Sequence, residues 1–249
     1  MDVRAARLIV IGVAFVVAVC AVLATVSIVS GRASGDRQAS VTMGSPDSAT
    51  APDAAADPDA PVVSFYGDSY TLGTGASDPS KRWSSVIAAD RGWTERNHSV
   101  NGLGFVNHRQ STPPDYAADD LVTLSIADDP DILFITMGLN DNFSMPARAE
   151  AIRSAIGTDF ATLREALPDT RIVVVEPFWY TDDRPDSVEQ IISWVKAEAG
   201  VIGADYIPGA SHWIEGHPEW MAADGLHPND DGYAAMTERM DTALAGLGL

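Results

Sequence analysis

From residue 61 onwards, short apolar segments alternate with longer amphipathic segments, and this alternation restricts the fold more than any other feature of the chain. The short segments are rich in Val and Ile, which is typical of buried strands. The segments between them have helical periodicity, and a helix between two strands makes a crossover connection. The sequence therefore predicts an α/β fold with a parallel sheet. The predicted strands are 61–66, 95–100, 131–137, 170–176 and 201–207.

Three predicted helices carry an apolar face. The first face is formed by Ile152, Ile156, Phe160, Leu163 and Leu167, and the second by Val188, Ile191, Ile192 and Val195. The third helix, 229–245, has an inward face made of Tyr233, Met236, Met240 and Leu244. The second helix also has end signals, because Ser187 to Gln190 has the pattern of a capping box and Gly200 is typical of a helix end.

Leu8 to Val29 is an almost uninterrupted apolar run. At a rise of about 1.5 Å per residue it gives a helix of roughly 33 Å, and a bilayer core is about 30 Å thick. A cleaved signal peptide would have a shorter apolar region and a small-x-small site, which Ser30 to Ala33 match poorly. We therefore predict a tail at 1–7 and a single uncleaved transmembrane anchor helix at 8–30. The short tail favours a folded part outside the cytoplasm, although the arginine bias across the helix is weak.

Residues 31–60 consist mainly of Gly, Ala, Ser, Asp and Pro. A segment of this composition buries too little apolar surface to fold. We therefore predict a disordered linker that holds a folded domain, residues 61–249, away from the membrane.

Charge and cysteine content exclude several classes of protein. The net charge of −19 argues against a nucleic-acid partner, because phosphate backbones are bound by an excess of Lys and Arg. The single cysteine, Cys20, lies in the apolar run. The folded part therefore has no disulfide, no thiolate zinc site and no cysteine nucleophile.

The first predicted strand leads into Gly67-Asp68-Ser69. A serine just past a buried strand is a favoured position for a nucleophile, because the loop exposes the hydroxyl while the sheet holds the backbone still. The same triplet also makes ordinary turns, and Asp68 is expected to cap the turn that follows.

Three further polar blocks follow along the chain. They are Asn97-His98-Ser99-Val100-Asn101-Gly102-Leu103-Gly104, Gly138-Leu139-Asn140-Asp141 and Asp224-Gly225-Leu226-His227-Pro228-Asn229. With Gly67-Asp68-Ser69, these blocks resemble the SGNH (GDSL) hydrolase family in order and spacing, over residues 61–249. The resemblance implies a three-layer α/β/α, flavodoxin-like fold and the activity of a serine esterase or lipase.

The resemblance also implies a catalytic role for three side chains. Ser69 is the expected nucleophile, and a serine hydroxyl attacks only when a base removes its proton. His227 is the expected base, since imidazole titrates near neutral pH. Asp224 is expected to orient the imidazole and stabilise its charged form. No metal or organic cofactor is expected.

The oxyanion donors that the resemblance implies come from three blocks. They are the backbone N–H of Ser69, the backbone N–H of Gly102 and the side-chain amide of Asn140, with Gly104 as the alternative to Gly102. Asn140 has a second interpretation, in which it merely stabilises its own loop.

Other polar residues near these blocks are expected to be structural. Asp141 and Asn142 are expected to be turn residues. The remaining histidines show no partner pattern and are expected to have surface or packing roles; they are His98, His108, His212 and His217. A two-metal phosphoesterase would need more carboxylate and histidine ligands near the blocks than this sequence provides.

Aromatic residues are concentrated in loops that are expected to flank the cleft. Phe178, Trp179 and Trp213 are candidates for a substrate pocket, as are the neighbouring Tyr180 and Trp220. The same residues can equally pack their loops against the body of the domain.

Taken as a whole, the sequence predicts a membrane-anchored, extracytoplasmic serine hydrolase. It is expected to cleave a small-molecule or glycan carboxylic ester through an acyl-enzyme. Acyl transfer, or deacetylation of cell-envelope carbohydrate, is the alternative reaction at the same site. A non-catalytic surface binding domain is the alternative class, and it is disfavoured because the expected Ser, His and Asn are all present.

Overall fold

The computed structural model of the protein describes residues 59–109 and 118–249, and for residues 118–120 the backbone only. The predicted tail, the predicted anchor helix at 8–30 and nearly all of the predicted linker lie outside these ranges. Within the ranges, no helix combines the length and the apolar character needed to cross a membrane.

Five strands of the described chain form one parallel sheet in the order β2-β1-β3-β4-β5. They are β1, Val62–Gly67; β2, Thr94–Asn97; β3, Ile132–Thr136; β4, Arg171–Val175; and β5, Asp205–Ile207. The predicted parallel sheet is confirmed. The strand order reverses between β1 and β3, as in flavodoxin-like folds, and ligand sites lie at the carboxyl ends of the strands beside such a reversal.

Helices connect these strands. They are α1, Ser69–Leu72; α2, Trp83–Asp90; α3, Ala118–Ala127; α4, Ala149–Ala166; α5, Asp186–Val201; and α6, Asp230–Leu247. The loops also contain 3₁₀ turns at Pro79–Lys81, Asn140–Ser144, Ala210–His212 and Pro218–Trp220.

The two faces of the sheet contribute to two separate hydrophobic cores. Successive strand residues point to opposite faces, so Phe65 packs with α2 and α6 while Tyr66 packs with α3, α4 and α5. The predicted inward faces of α4 and α6 are buried in these cores. The predicted three-layer α/β/α arrangement is therefore confirmed.

The predicted start signal of α5 is wrong. Pro185 occupies the N-cap, and no side chain caps the helix. The hydroxyl of Ser187 instead lies 2.5 Å from Oδ1 of Asn142, in the loop after β3. The serine therefore makes a tertiary contact and not the reciprocal capping contact that its sequence pattern indicates.

The end of α5 also lies beyond the position that the sequence predicts. The helix continues through Gly200 to Val201, and the chain then turns at Gly203, whose φ is 65°. Because these residues belong to the helix and its turn, the strand predicted at 201–207 is reduced to β5. The strand predicted at 95–100 is similarly shorter, since β2 ends at Asn97.

Candidate active site

The chain leaves β1 through a tight turn that places Ser69. A Cβ on Gly67 would lie 2.2 Å from Oγ1 of Thr136 on β3, so only glycine fits there. Asp68 is the N-cap of α1, and its Oδ1 accepts a hydrogen bond from the Tyr70 N–H at 3.0 Å. The capping role predicted for Asp68 is confirmed. Ser69 is therefore the first residue of α1, at the carboxyl end of a central strand.

Asp224 and His227 form a pair within one loop before α6. Nδ1 of His227 lies 2.7 Å from Oδ2 of Asp224. Partial burial favours the neutral carboxyl, but hydrogen bonds from the His227 ring and from two backbone N–H groups outweigh it and lower the pKa of Asp224 to about 2. The carboxylate is thus an acceptor at neutral pH, so Nδ1 carries the proton and Nε2 is free to accept one.

Two tyrosines join this loop and the helix that follows it to the segment that carries Ser69. The Tyr70 hydroxyl donates to the carbonyl of Leu226 at 2.7 Å. In the opposite direction, the Tyr233 hydroxyl of α6 donates to the carbonyl of Thr74 at 2.9 Å. The two loops are thus held together by buried rings from both sides.

Gly75 lets the same two loops approach each other closely. Its φ is 96°, and a Cβ there would lie 2.3 Å from the carbonyl oxygen of Pro228 and 3.1 Å from Cβ of His227. Any larger residue at this position would push the histidine loop away from α1.

His227 lies over the start of α1. Its ring centroid is 6.1 Å from that of Tyr70, the residue after Ser69. Among the hydrogen bonds of the described residues, none joins Ser69 Oγ to the imidazole directly. Such bonds often tighten only when substrate is bound.

The loop after β2 brings Gly102 and Gly104 to the same edge of the sheet. The Val100 N–H donates to the Gly67 carbonyl at 3.1 Å, so this loop runs beside the end of β1. The Gly104 N–H is already used, because it donates to the Asn107 carbonyl at 3.0 Å. The N–H groups of Gly102 and Ser69 have no protein acceptor within the described part of the chain. Gly102 is therefore the better anion donor of the two glycines.

Asn140 lies between these two loops. Its Nδ2 is 2.9 Å from the carbonyl oxygen of Leu103 and 3.4 Å from Oδ2 of Asp68. The side chain is 7% exposed. The short hydrogen bond to Leu103 fixes the amide between the loop of Ser69 and the loop of Gly102. The second N–H has only the long contact with Asp68, so this N–H is the one that can donate to a negatively charged oxygen.

Asp141 has a larger role than the turn residue expected from the sequence. Its side chain is fully buried, and its carboxylate accepts hydrogen bonds from three successive backbone N–H groups, those of Phe105, Val106 and Asn107, at 2.7 to 3.1 Å. It therefore ties the loop after β3 to the loop that carries Gly102. Burial raises the pKa of this carboxyl, and the three backbone hydrogen bonds oppose the increase.

Asp68 is a second buried carboxyl at the centre of the site. Burial raises its pKa to about 7, while the hydrogen bond from the Tyr70 N–H opposes the increase and the charge of Asp141 adds to it. Asp68 is therefore a carboxyl of this site whose charge changes near neutral pH.

The aromatic residues proposed for a pocket fall into two groups. Phe178 and Trp179 are only 2% and 3% exposed. Phe178 stacks on Tyr70 at 5.5 Å between ring centroids, and Nε1 of Trp179 donates to the carbonyl of Asp183. These two residues therefore pack the loops against the body, the second of the two roles that the sequence left open. Trp213 is partly exposed and borders a shallow groove of about 400 Å³ beside α6.

Three of the remaining histidines have carboxylate partners that the sequence pattern did not indicate. These pairs are His98 with Asp128, His212 with Glu215 and His217 with Glu219, at 2.5 to 2.8 Å. The ring of the fourth, His108, lies against Gly102.

Comparisons with known proteins agree with this fold. The sequence model described as the GDSL-like lipase/acylhydrolase family matches residues 65–235. The GDSL lipase Rv0518 of Mycobacterium tuberculosis is 29% identical over 185 residues, which cover 72% of this chain and 79% of that protein. The crystal structure of TesA is similar with a TM-score of 0.60 at 20% identity, over 75% of this chain and 99% of TesA. The psychrotrophic esterase EstA from Pseudoalteromonas sp. is similar with a TM-score of 0.57 at 15% identity, over 75% of this chain and 98% of EstA.

Proposed function

From the premise that this chain belongs to the GDSL-like lipase/acylhydrolase family and is a serine ester hydrolase, we propose how and where it acts. Ser69 is the nucleophile, His227 the base and Asp224 the residue that orients the imidazole. The reaction passes through an acyl-enzyme, and the enzyme works outside the cytoplasm from a membrane anchor at residues 8–30.

The observation that carries the mechanism is the pairing of His227 with Asp224 on a loop attached to the nucleophile turn. The lowered pKa of Asp224 keeps it ionised, so it holds the proton of Nδ1 in place. Nε2 then takes the proton of Ser69 Oγ as that oxygen attacks the ester carbonyl carbon. The same proton passes to the alcohol oxygen as the bond between the carbonyl carbon and that oxygen breaks. The acyl group is then left on Ser69.

The negative charge on the carbonyl oxygen is stabilised by donors from three loops. The backbone N–H groups of Ser69 and Gly102 lack protein acceptors within the described residues, and the amide of Asn140 is held in place by its contact with Leu103. Donors fixed before the reaction need no reorganisation when the charge develops.

A second half-reaction, deacylation, releases the acyl group. A water molecule gives a proton to Nε2 of His227 and attacks the acyl carbon, and the proton returns to Ser69 Oγ as the acid leaves. An alcohol or a sugar hydroxyl in place of water would give acyl transfer. We propose hydrolysis as the main reaction. An assay with and without an added alcohol distinguishes hydrolysis from acyl transfer.

The proposed location rests on sequence alone. The apolar run at 8–29 is long enough to cross a bilayer, and the composition of 31–60 suits a linker. An anchored enzyme of this kind would meet lipid or envelope esters at the membrane surface.

Labelling by a phosphonate tests the nucleophile. EstA is described as inhibited by monoethylphosphonate, and we expect a reactive alkyl phosphonate to inactivate this enzyme in the same way. The full chain in detergent is treated with the phosphonate, and its activity is measured before and after treatment. The substrates are nitrophenyl esters of increasing acyl length, with and without an added alcohol as the acyl acceptor. The expected adduct lies on the peptide that contains Ser69 and is absent from Ser69→Ala. An adduct on another residue, or activity that persists after labelling of Ser69, would refute the mechanism.

A further inference from the structure

Tyr70 follows the proposed nucleophile directly, and its ring is held rigidly. The side chain is 1% exposed and stacks on Phe178 with an interplanar angle of 16°. A fixed ring gives its hydroxyl a fixed position. The four letters of the family description, G-D-S-L, correspond here to Gly67-Asp68-Ser69-Tyr70, and a leucine in the last position has no hydroxyl to donate.

Most other hydrogen bonds of the loop that receives this hydroxyl are made within the loop. Oδ1 of Asp224 accepts from the N–H groups of Leu226 and His227, and the Ala222 N–H donates to the His227 carbonyl at 2.8 Å. The Asp224 side chain is 50% exposed. The hydroxyl of Tyr70, bound to the Leu226 carbonyl at 2.7 Å, anchors this loop to the nucleophile turn.

We propose that Tyr70 is a positioning residue that holds His227 in register with Ser69. Tyr70 is the residue after Ser69 and Leu226 is the residue before His227, so one hydrogen bond joins their immediate neighbours. The inference rests on the proposed function, because it requires that Ser69 and His227 act together.

Tyr70→Phe removes the hydroxyl and keeps the packed ring. We expect kcat for nitrophenyl ester hydrolysis to fall by about 10- to 100-fold with little change in KM, because a misplacement of about 1 Å can cost about 100-fold. The control is Tyr66→Phe, in which an equally buried tyrosine on the other face of the sheet loses a hydroxyl that donates to Asp159 at 2.9 Å. Each variant should lower Tm by about 2–4 °C, and only Tyr70→Phe should lower kcat.

A double-mutant cycle separates this proposal from the proposed function. In the His227→Ala background, adding Tyr70→Phe should leave the residual activity unchanged, because the residue that Tyr70 positions is gone. If His227→Ala alone keeps wild-type activity, the proposed function fails. If His227→Ala is inactive but Tyr70→Phe has the kcat of Tyr66→Phe, only the role of Tyr70 fails. An equal loss in both backgrounds also overturns that role.

Two unnatural side chains at position 70 keep the test decisive if Tyr70→Phe does not fold. 4-Aminophenylalanine and 4-fluorophenylalanine both fill the space of the hydroxyl, but only the amino group donates a hydrogen bond. We expect near wild-type kcat with the amino side chain and the reduced kcat with the fluoro side chain. Equal kcat values for the two would overturn the proposal.

Discussion

A Cβ on Gly104 would lie 2.6 Å from the carboxylate of Asp141, far inside van der Waals contact. The glycine thus allows the carboxylate to reach the three backbone N–H groups behind it, from Phe105 to Asn107. Asn107 in turn donates from Nδ2 to the carbonyl of Gly102 at 3.1 Å. Through these contacts Asp141 fixes the loop that carries Gly102, the proposed oxyanion donor.

Asp141→Asn and Gly104→Ala should both lower kcat with little effect on KM. The first replaces an acceptor oxygen by an NH₂ group that faces backbone donors, and the second forces the loop away from the carboxylate. Hydrogen bonds to a charged group each contribute about 1.5–3 kcal/mol, so Asp141→Asn should also lower the free energy of unfolding by about that amount. Asp169→Asn, an exposed aspartate, is the control for kcat and stability. Wild-type kcat in Asp141→Asn would show that the loop keeps its position without the carboxylate.

Ser69→Ala and His227→Ala should each abolish nearly all esterase activity, and the double variant should lose no more. In a well-studied serine protease, loss of either member costs on the order of a million-fold, about as much as loss of the whole set. Steady-state kinetics of the three variants and circular dichroism test this. His217→Ala, which removes a partly exposed histidine that is paired with Glu219 and stacked on Trp220, should remain active. Multiplicative losses in the double variant would contradict a mechanism in which the two residues act as a unit.

Asn140→Ala should lower kcat by about 100- to 1000-fold with little change in KM, because its amide donates mainly to charge that develops during the reaction. The matched control is Asn142→Ala on the same 3₁₀ turn, which removes the acceptor of the Ser187 hydroxyl. Kinetics on one nitrophenyl ester suffice. A higher KM with unchanged kcat would show that Asn140 binds the ground state only.

The buried Asp68 predicts a pH dependence of stability. Its pKa is about 7 in the folded protein and 3.8 ordinarily, so between these values the folded state keeps a proton that the unfolded chain has released. The contribution of this protonated carboxyl to the free energy of unfolding is fully present below pH 4 and is lost as pH rises to 7. At about 1.4 kcal/mol per pKa unit, the loss is about 4 kcal/mol.

Urea unfolding of residues 61–249 at pH 4 to 8 tests this dependence, with Asp68→Asn as the comparison. Asparagine also caps helices well, so α1 should be retained. The wild-type free energy of unfolding should fall with rising pH relative to the variant. Parallel curves for the two proteins would show that Asp68 is ionised throughout this range.

The proposed anchor predicts that the full chain stays with membranes after carbonate extraction. Deletion of residues 1–60 should release a soluble domain with full activity on small esters, because every proposed catalytic residue lies beyond them. Protease added to spheroplasts should cut within 31–60. A shortened, freely secreted protein would favour a signal peptide, and protection from protease would reverse the proposed orientation.

The parallel sheet can be predicted from the sequence because it depends on local patterns, and the proposed catalytic residues because the four polar blocks resemble those of a known family. Apolar strands with helical segments between them indicate a parallel sheet, and loops at its carboxyl edge collect polar residues. The role of Asp141 in joining two loops cannot be predicted from the sequence. Its partners are backbone N–H groups 34 to 36 residues away, and any residue type other than proline can supply a backbone N–H.

The wrong prediction at the start of α5, and the choice that the sequence leaves open for the aromatic residues, have a related cause. The pattern at Ser187 indicates a local cap, but a tertiary contact with Asn142 uses its hydroxyl. Phe178 and Trp179 lie in a loop whose sequence does not distinguish a pocket wall from a packed core. In each case the deciding interaction is between segments distant along the chain.

The hydrogen bond between Tyr70 and Leu226 joins residues that are 156 positions apart. We expect contacts of such high sequence separation to form late, because closing so long a loop lowers the entropy of the chain. A refolding molecule can therefore have a complete sheet and native circular dichroism while Ser69 and His227 are still apart. For this enzyme, we therefore expect recovered ester hydrolysis to report the docking of the histidine loop and α6 onto the turn after β1.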